Sequence, residues 1–379
     1  MQEAKKYELL RILLAVSAVI VELGFFGTLY FSGFSYWLSS AFESIIAPNM
    51  IRVFGFVFVV ITGAELITFP LNLWRGWILP RRFSISRQSF RQWFMEYIKT
   101  TGLSMLLVII VSELFYAFLS IAPSWWWFLF SLAMIIALAV VTKFLPLIIL
   151  PLFIRARPLE DEELTSSLED LLRNVLGARA PIYIMDISDR THGATAMIAG
   201  MGSTTRIYLA DTLLRQFTPD EIRVITAHEL GHHHYKHLWR ALAAQGAVFF
   251  ITALIMHLAF PYTALRNLAF YPLVIVLAGI YFVVLMYPII WKLKTWELEA
   301  DQFAVQITGL REPFITALER LSSLNRIDME PSSLIESIFH THPSIKKRIA
   351  FIRSLALNDT SEHSAGGELT SGNNDKREN

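Results

Sequence analysis

The sequence predicts a predominantly α-helical, multi-pass membrane protein with a soluble segment that includes a small β-sheet. Two observations place it in a membrane. Hydrophobic residues make up 54% of the chain and charged residues only 17%, with no cysteine. At a mean hydropathy of +0.47, a water-soluble domain would be left with large exposed apolar patches. The second is the recurrence of apolar runs of bilayer-spanning length. The lack of cysteine excludes disulfides and thiolate metal ligands. The net charge of +1 carries no partner information, and no nucleic-acid partner is expected.

Apolar runs occupy about 9–33, 51–74, 102–122 and 125–153, and two more lie at about 239–260 and 268–291, giving six spans. The first run is too long for a signal peptide and has no clear cleavage site, so it is read as a retained span. Lys5, Lys6 and Arg11 precede it, and Arg75, Arg81, Arg82, Arg87, Arg91 and Lys99 crowd the connection between the second and third. Basic loops stay on the cytoplasmic side, so residues 154–238 and the segment from 292 onward are expected there. Glu22, Glu65, Glu113, Lys143 and His257 fall within the runs, where ionisable groups either line a cavity or pair between helices. The division that follows is a membrane region at 1–153, a soluble segment at 154–238, a transmembrane hairpin at 239–291, a second soluble segment at 292–357 and an unstructured tail at 358–379.

In the first soluble segment, ARPLEDEELTSSLEDLLRNVLGA reads as an amphipathic helix, with Leu164, Leu168, Leu171, Leu172 and Leu176 on one side. PIYIMDIS reads as a strand, and ATAMIAGMGSTTRIYLADTLL as a hairpin turning near Gly202 and Ser203. Thr195 to Gly200 are the candidate free edge, to which an extended peptide can add through its main chain.

A helix then begins at Thr218, a good N-cap, with Pro219 at N1 and Glu221 placed to close a capping box. It carries His228-Glu229-Leu230-Gly231-His232. Residues i and i+4 share a helix face, so His228 and His232 can bind one metal ion with Glu229 beside them as a base. Catalytic zinc takes three protein ligands. A histidine six residues beyond His232 would complete one subclass of such sites, but that position is Leu238. Glu297 and Asp301, on one face of a later helix, are the alternative: one to bind zinc, the other to accept a hydrogen bond from a ligand histidine. Glu299 points elsewhere. His233, His234 and His237 are expected to be solvated or behind the ligands, and His340 to be incidental.

FSISRQSFRQWFMEYIK, LPLIILPLFIRARPLEDEEL, TTRIYLADTLL, HELGHHHYKH, WELEADQFA and THPSIKKRI, in this order over roughly 50–355, resemble the type I CAAX prenyl endopeptidases. These are integral-membrane zinc proteases related to the HtpX membrane proteases. The resemblance implies a helical barrel enclosing a chamber, closed at one end by a gluzincin-type protease domain. It implies one zinc ion held by His228, His232 and Glu297, with Glu229 as general base and Asp301 supporting a ligand. It further implies that His342 stabilises the transition state and that Arg348, Thr195 and Ala196 contact substrate. Thr195-Ala196 stands where the family has Asn-Ala, and Leu293-Lys294-Thr295 replaces its usual Ser-Arg. Eukaryotic members are described with seven spans, against the six read here.

The chemistry implied is zinc-assisted peptide hydrolysis, in which Glu229 takes a proton from water and passes it to the leaving amine. A site at the membrane surface suits membrane-bound or lipidated substrates. The alternatives are quality control of damaged membrane proteins, as for HtpX, and, from another class, a zinc transporter or sensor using the histidine-rich tract.

Overall fold

The computed structural model describes residues 2–46, 49–176 and 180–355; the expected tail at 358–379 lies outside the described residues. Among the described residues, six helices are long and apolar enough to span a membrane: Glu3–Phe31, Asn49–Arg82, Phe90–Ile121, Trp126–Phe153, His237–Ala259 and Leu268–Thr308. They belong to α1 (Gln2–Phe31), α3 (Asn49–Leu73) continuing into α4 (Leu79–Arg82), α5 (Phe90–Ile121), α6 (Trp126–Phe144) continuing into α7 (Leu150–Phe153), α11 (His237–Ala259) and α13 (Tyr271–Thr308). The amphipathic α2 (Phe34–Ile45), at 12 residues, is too short to cross.

The helices pack at their ends. Far from the zinc motif, Phe26, Phe56, Val57, Leu119, Trp126 and Tyr271 form one apolar core. Between helices in a bilayer such contacts stabilise by close packing rather than by removal from water. In the most apolar window of the first, fourth and sixth spans only 6% of residues are buried. These spans are only partly covered by their neighbours, so much of their length is open to lipid or to the space between helices.

The soluble elements are β1 (Ala156–Pro158), α8 (Glu162–Leu176), β2 (Ile182–Met185), β3 (Ala196–Ala199), β4 (Arg206–Ala210), α9 (Asp211–Gln216) and α10 (Pro219–His234), followed after the membrane hairpin and α12 (Tyr262–Arg266) by α14 (Arg311–Leu324) and α15 (Ser333–Phe339). Strand order is β1-β2-β4-β3, with β2 parallel to β4 and both outer pairs antiparallel. Leu168, Leu171 and Leu172 of α8 meet Leu209, Leu230 and Phe314 in a second core.

The helix expected from Ala156 starts only at Glu162, and Ala156–Pro158 instead form an edge strand against β2. The residue before a proline is driven to extended geometry, and Pro158, lacking an N–H, is tolerated at a sheet edge. The hairpin is as read, with β3 joined to β4 through a short 3₁₀ turn at Gly202–Thr204.

Of the ionisable residues inside spans, Glu22 and Glu65 border a 170 Å³ cavity between α1 and α3, and Glu65 accepts a hydrogen bond from Tyr97 at 3.0 Å. His257 packs its ring against Trp126 and Trp127.

Candidate active site and metal centre

The zinc motif stands on a helix whose start is held as the sequence demands. Thr218 Oγ1 accepts from the Glu221 N–H at 3.3 Å, and Glu221 Oε2 from the Thr218 N–H at 2.8 Å. Glu221 also accepts from the Thr316 hydroxyl and pairs with Arg320, so the cap ties α10 to α14. Gly231 then lets α10 lie directly on α13: a Cβ there would come within 3.0 Å of Ala300 Cα. That close approach brings Glu297, three residues before Ala300, to the two histidines.

His228 Nε2 and His232 Nε2 lie 3.2 Å apart, and they stand 3.5 Å and 3.4 Å from the nearer Glu297 oxygens. Atoms bound tetrahedrally to zinc at about 2.0–2.1 Å are separated by about 3.3–3.4 Å, so the three donors fit that ion. The carboxylate supports the same conclusion, because Glu297 Oε2 is buried without a hydrogen-bond partner among the described residues. Such an orphaned charge is costly unless a cation satisfies it. Burial disfavours a charged His228, yet the Asp301 and Glu297 carboxylates outweigh it and hold the ring up at about 9. Burial and the adjacent His228 push His232 down to about 3, which leaves a neutral imidazole with a free lone pair.

Asp301, fully buried, accepts from His228 Nδ1 at 2.9 Å and so turns Nε2 toward the ligand cluster. Arg348, read from sequence as a substrate contact, is buried with its guanidinium on Asp301, and its Nη1 is 3.9 Å from Glu297 Oε2. His342 is largely exposed, with Nδ1 2.9 Å from Glu297 Oε1. Its loop is pinned by the buried Glu336, which accepts from the Ser344 N–H and from Lys347. Lys294, in the stretch that departs from the family pattern, donates to the Glu336 carbonyl at 2.6 Å and so steadies the same loop.

A cavity of about 500 Å³ opens on this cluster and is bordered by His228, Glu229, Glu297, His342, Thr195 and Ala196. Glu229 is half-buried, and burial raises its carboxyl above the usual value against the pull of the charged His228. Thr195 and Ala196 stand at the start of β3, whose far side pairs with no strand among the described residues.

Five residues bordering this cavity are not signalled by the sequence. Tyr7, Glu8 and Arg11 reach it from α1, although the basic residues there had served only to orient the spans. His340, taken as incidental, pairs with Glu8 and locks that helix to the loop carrying His342. Asn325 donates to the Ala194 carbonyl at 3.0 Å, just ahead of β3. None of these is signalled by local spacing, because each contact joins residues remote in sequence.

Comparison with known proteins agrees with the geometry. Residues 158–356 match the model of Peptidase family M48. Residues 1–155 match one described as CAAX prenyl protease N-terminal, five membrane helices, of which four here have spanning length among the described residues. The chain is 26% identical to the uncharacterized metalloprotease YhfN of Bacillus subtilis, over 91% of this chain and 84% of the relative. It is 25% identical to CAAX prenyl protease 1 of Saccharomyces cerevisiae, over 76% of this chain and 68% of the relative. The crystal structure of S. mikatae Ste24p has the same fold, with a TM-score of 0.73 over 91% of this chain and 83% of that one, at 20% identity. With the M48 model matched across more than half of its length, the chain belongs to peptidase family M48, as an integral-membrane zinc metalloprotease of the CAAX prenyl protease type.

Proposed function

We propose that this protease cleaves prenylated, C-terminally lipidated proteins at the cytoplasmic face of its membrane. The observation that carries the reading is the cavity itself. It joins the His228, His232 and Glu297 cluster to the wall of the first span, so a chain anchored by a lipid in the bilayer can reach the cluster. Similarity to the CAAX prenyl proteases over the membrane region favours prenylated substrates over damaged membrane proteins in general. The crowding of Arg75, Arg81, Arg82, Arg87 and Arg91 between the second and third spans supports the cytoplasmic orientation.

In this reading, zinc held by His228, His232 and Glu297 supplies a Lewis acid for water and for the scissile carbonyl. The substrate strand adds to the free edge of β3 near Thr195 and Ala196, and its backbone fixes the register. Glu229 receives a proton from water and delivers it to the leaving amine. His342, exposed at the cavity wall, donates a hydrogen bond to the developing oxyanion. Asp301 and Arg348 hold His228 in place. The stretches 154–238 and 292–357 act as one protease unit linked by the 239–291 hairpin.

Purified protein would be offered a farnesylated CAAX peptide and an unfolded membrane protein side by side, with Glu229→Gln as control. Cleavage of the lipidated peptide alone, abolished in the variant, is the expected result. Cleavage of the unfolded protein alone would replace this proposal with membrane quality control.

A further inference from the structure

The two histidines of the zinc cluster are supported differently. His228 meets a carboxylate directly, through Nδ1 and Asp301. His232 Nδ1 instead lies 2.9 Å from Nδ1 of His237, with no carboxylate on it among the described residues. On its other side, His237 Nε2 lies 3.1 Å from Glu299 Oε2, and Arg240 Nη1 donates to that same oxygen at 3.3 Å. His237 is only 4% exposed, stacked on Trp296 at 5.1 Å with planes 7° apart, and flanked by Tyr235. It is the first residue of α11, immediately after the turn in which Lys236 adopts φ 56°.

The protons can be assigned along this row from the identity of the end groups. Glu299 is a carboxylate and can only accept, so His237 Nε2 carries the hydrogen and its Nδ1 keeps a lone pair. His232 Nδ1 must then be the donor, which leaves His232 Nε2 unprotonated and facing Glu297 and His228. That tautomer is the one able to bind a metal through Nε2.

We infer that His237 is a positioning residue for His232: it transmits the hold of the Glu299 carboxylate through one intervening imidazole and fixes both the tautomer and the ring angle of the ligand. The inference rests on the reading of His228, His232 and Glu297 as the zinc ligands. It also gives Glu299, which stands clear of the cluster itself, a part in the site. Both histidines are thereby oriented by carboxylates of α13, one residue either side of Ala300.

The test is zinc affinity of the full-length protein in detergent, measured by competition with a chromophoric chelator, alongside the melting temperature of the metal-free protein. His237→Phe keeps a ring between Tyr235 and Trp296 but offers no acceptor, and is expected to weaken zinc binding about 10- to 100-fold. His237→Gln can accept from His232 and donate to Glu299, and is expected to stay within about threefold of wild type. The metal-free melting temperature shows that each variant is folded at the temperature of the zinc titration, so that affinities are compared between folded proteins. Wild-type affinity in His237→Phe, or equal losses in the Phe and Gln variants, would overturn the inference. Zinc binding by wild type that survives in His228→Ala would instead overturn the assignment of the ligands, whatever the His237 variants do.

Discussion

Arg348 holds Asp301 with both arms of its guanidinium fork, Nε on Oδ2 at 2.8 Å and Nη2 on Oδ1 at 2.5 Å. Both side chains are buried, and Asp301 Oδ1 also serves His228. Arg348→Ala would strand a carboxylate beneath the zinc cluster and is expected to cost about 3–5 kcal/mol. Arg348→Lys should recover little, since an ammonium cannot fill a two-pronged site. Thermal unfolding of the zinc-loaded variants measures this, and a loss below about 1 kcal/mol for Arg348→Ala would contradict it.

Glu229 borders the cavity without belonging to the metal cluster, so binding and turnover should separate there. Glu229→Gln is expected to keep one zinc per chain while hydrolysis falls by about 10²- to 10⁴-fold. Removing zinc from wild type with a chelator should abolish cleavage, with recovery on adding it back. Metal analysis and a peptide-cleavage assay on the same sample read both; loss of zinc in the variant would count against the assignment.

Gly231 faces Ala300 across the α10–α13 contact, and an added Cβ would sit 3.0 Å from Ala300 Cα and 3.2 Å from its carbonyl oxygen. Backbone cannot yield there as a flexible side chain would. Gly231→Ala raises intrinsic helix propensity by about 1 kcal/mol, yet the helices must separate and carry Glu297 away from the histidines. Zinc affinity should fall by at least about tenfold in spite of the better helix former. An unchanged affinity, measured by chelator competition, would show that the contact has slack.

Asp211 is buried at the start of α9 and accepts from the Ile187 and Ser188 N–H groups at 3.0 Å and from the Ser188 hydroxyl at 2.5 Å. Burial pushes its carboxyl up, but these donors and Arg215 outweigh it and hold it below the ordinary 3.8. Its stabilising contribution is therefore complete above about pH 3.8 and is lost as pH falls through the lower value in the folded state. Asp211→Asn should cost about 1–3 kcal/mol at neutral pH, and the gap to wild type should narrow below pH 3.8. Melting temperatures of both proteins across pH 3 to 7 provide the comparison; a constant gap would contradict it.

The legible part of the site lay in contacts that one helix makes with itself. His228 and His232 are four residues apart on α10, Glu297 and Asp301 likewise on α13, and the Thr218 cap fixes where the histidine-bearing helix begins. Membrane spans were equally plain, because hydrocarbon demands about 20 apolar residues whatever the tertiary fold. The structure adds contacts between distant segments. His237 reaches His232 only because the chain turns at Lys236, and Glu8 meets His340 across more than three hundred residues. Charge near the N-terminus had one evident use, membrane orientation, which concealed that Arg11 also faces the cavity. Pro158 did carry a local signal for β1, outweighed by the leucine periodicity that follows it.

The helix α13 runs from Tyr271 to Thr308 with Pro288 inside it, so the exposed Val283 and the donor Glu297 stand on opposite sides of a proline. At 1.5 Å per residue the two are about 21 Å apart along the axis. A proline inside a helix removes one backbone hydrogen bond and is where the helix bends, so tilt of the membrane part does not reach Glu297 as it would along a rigid lever. The histidines, on α10, are carried with Glu297, because Gly231 lies directly against the Ala300 backbone of α13. A change in bilayer thickness, which alters the tilt of the last span, therefore meets a bending point at Pro288 and a helix-to-helix clamp at Gly231 before it reaches the metal site.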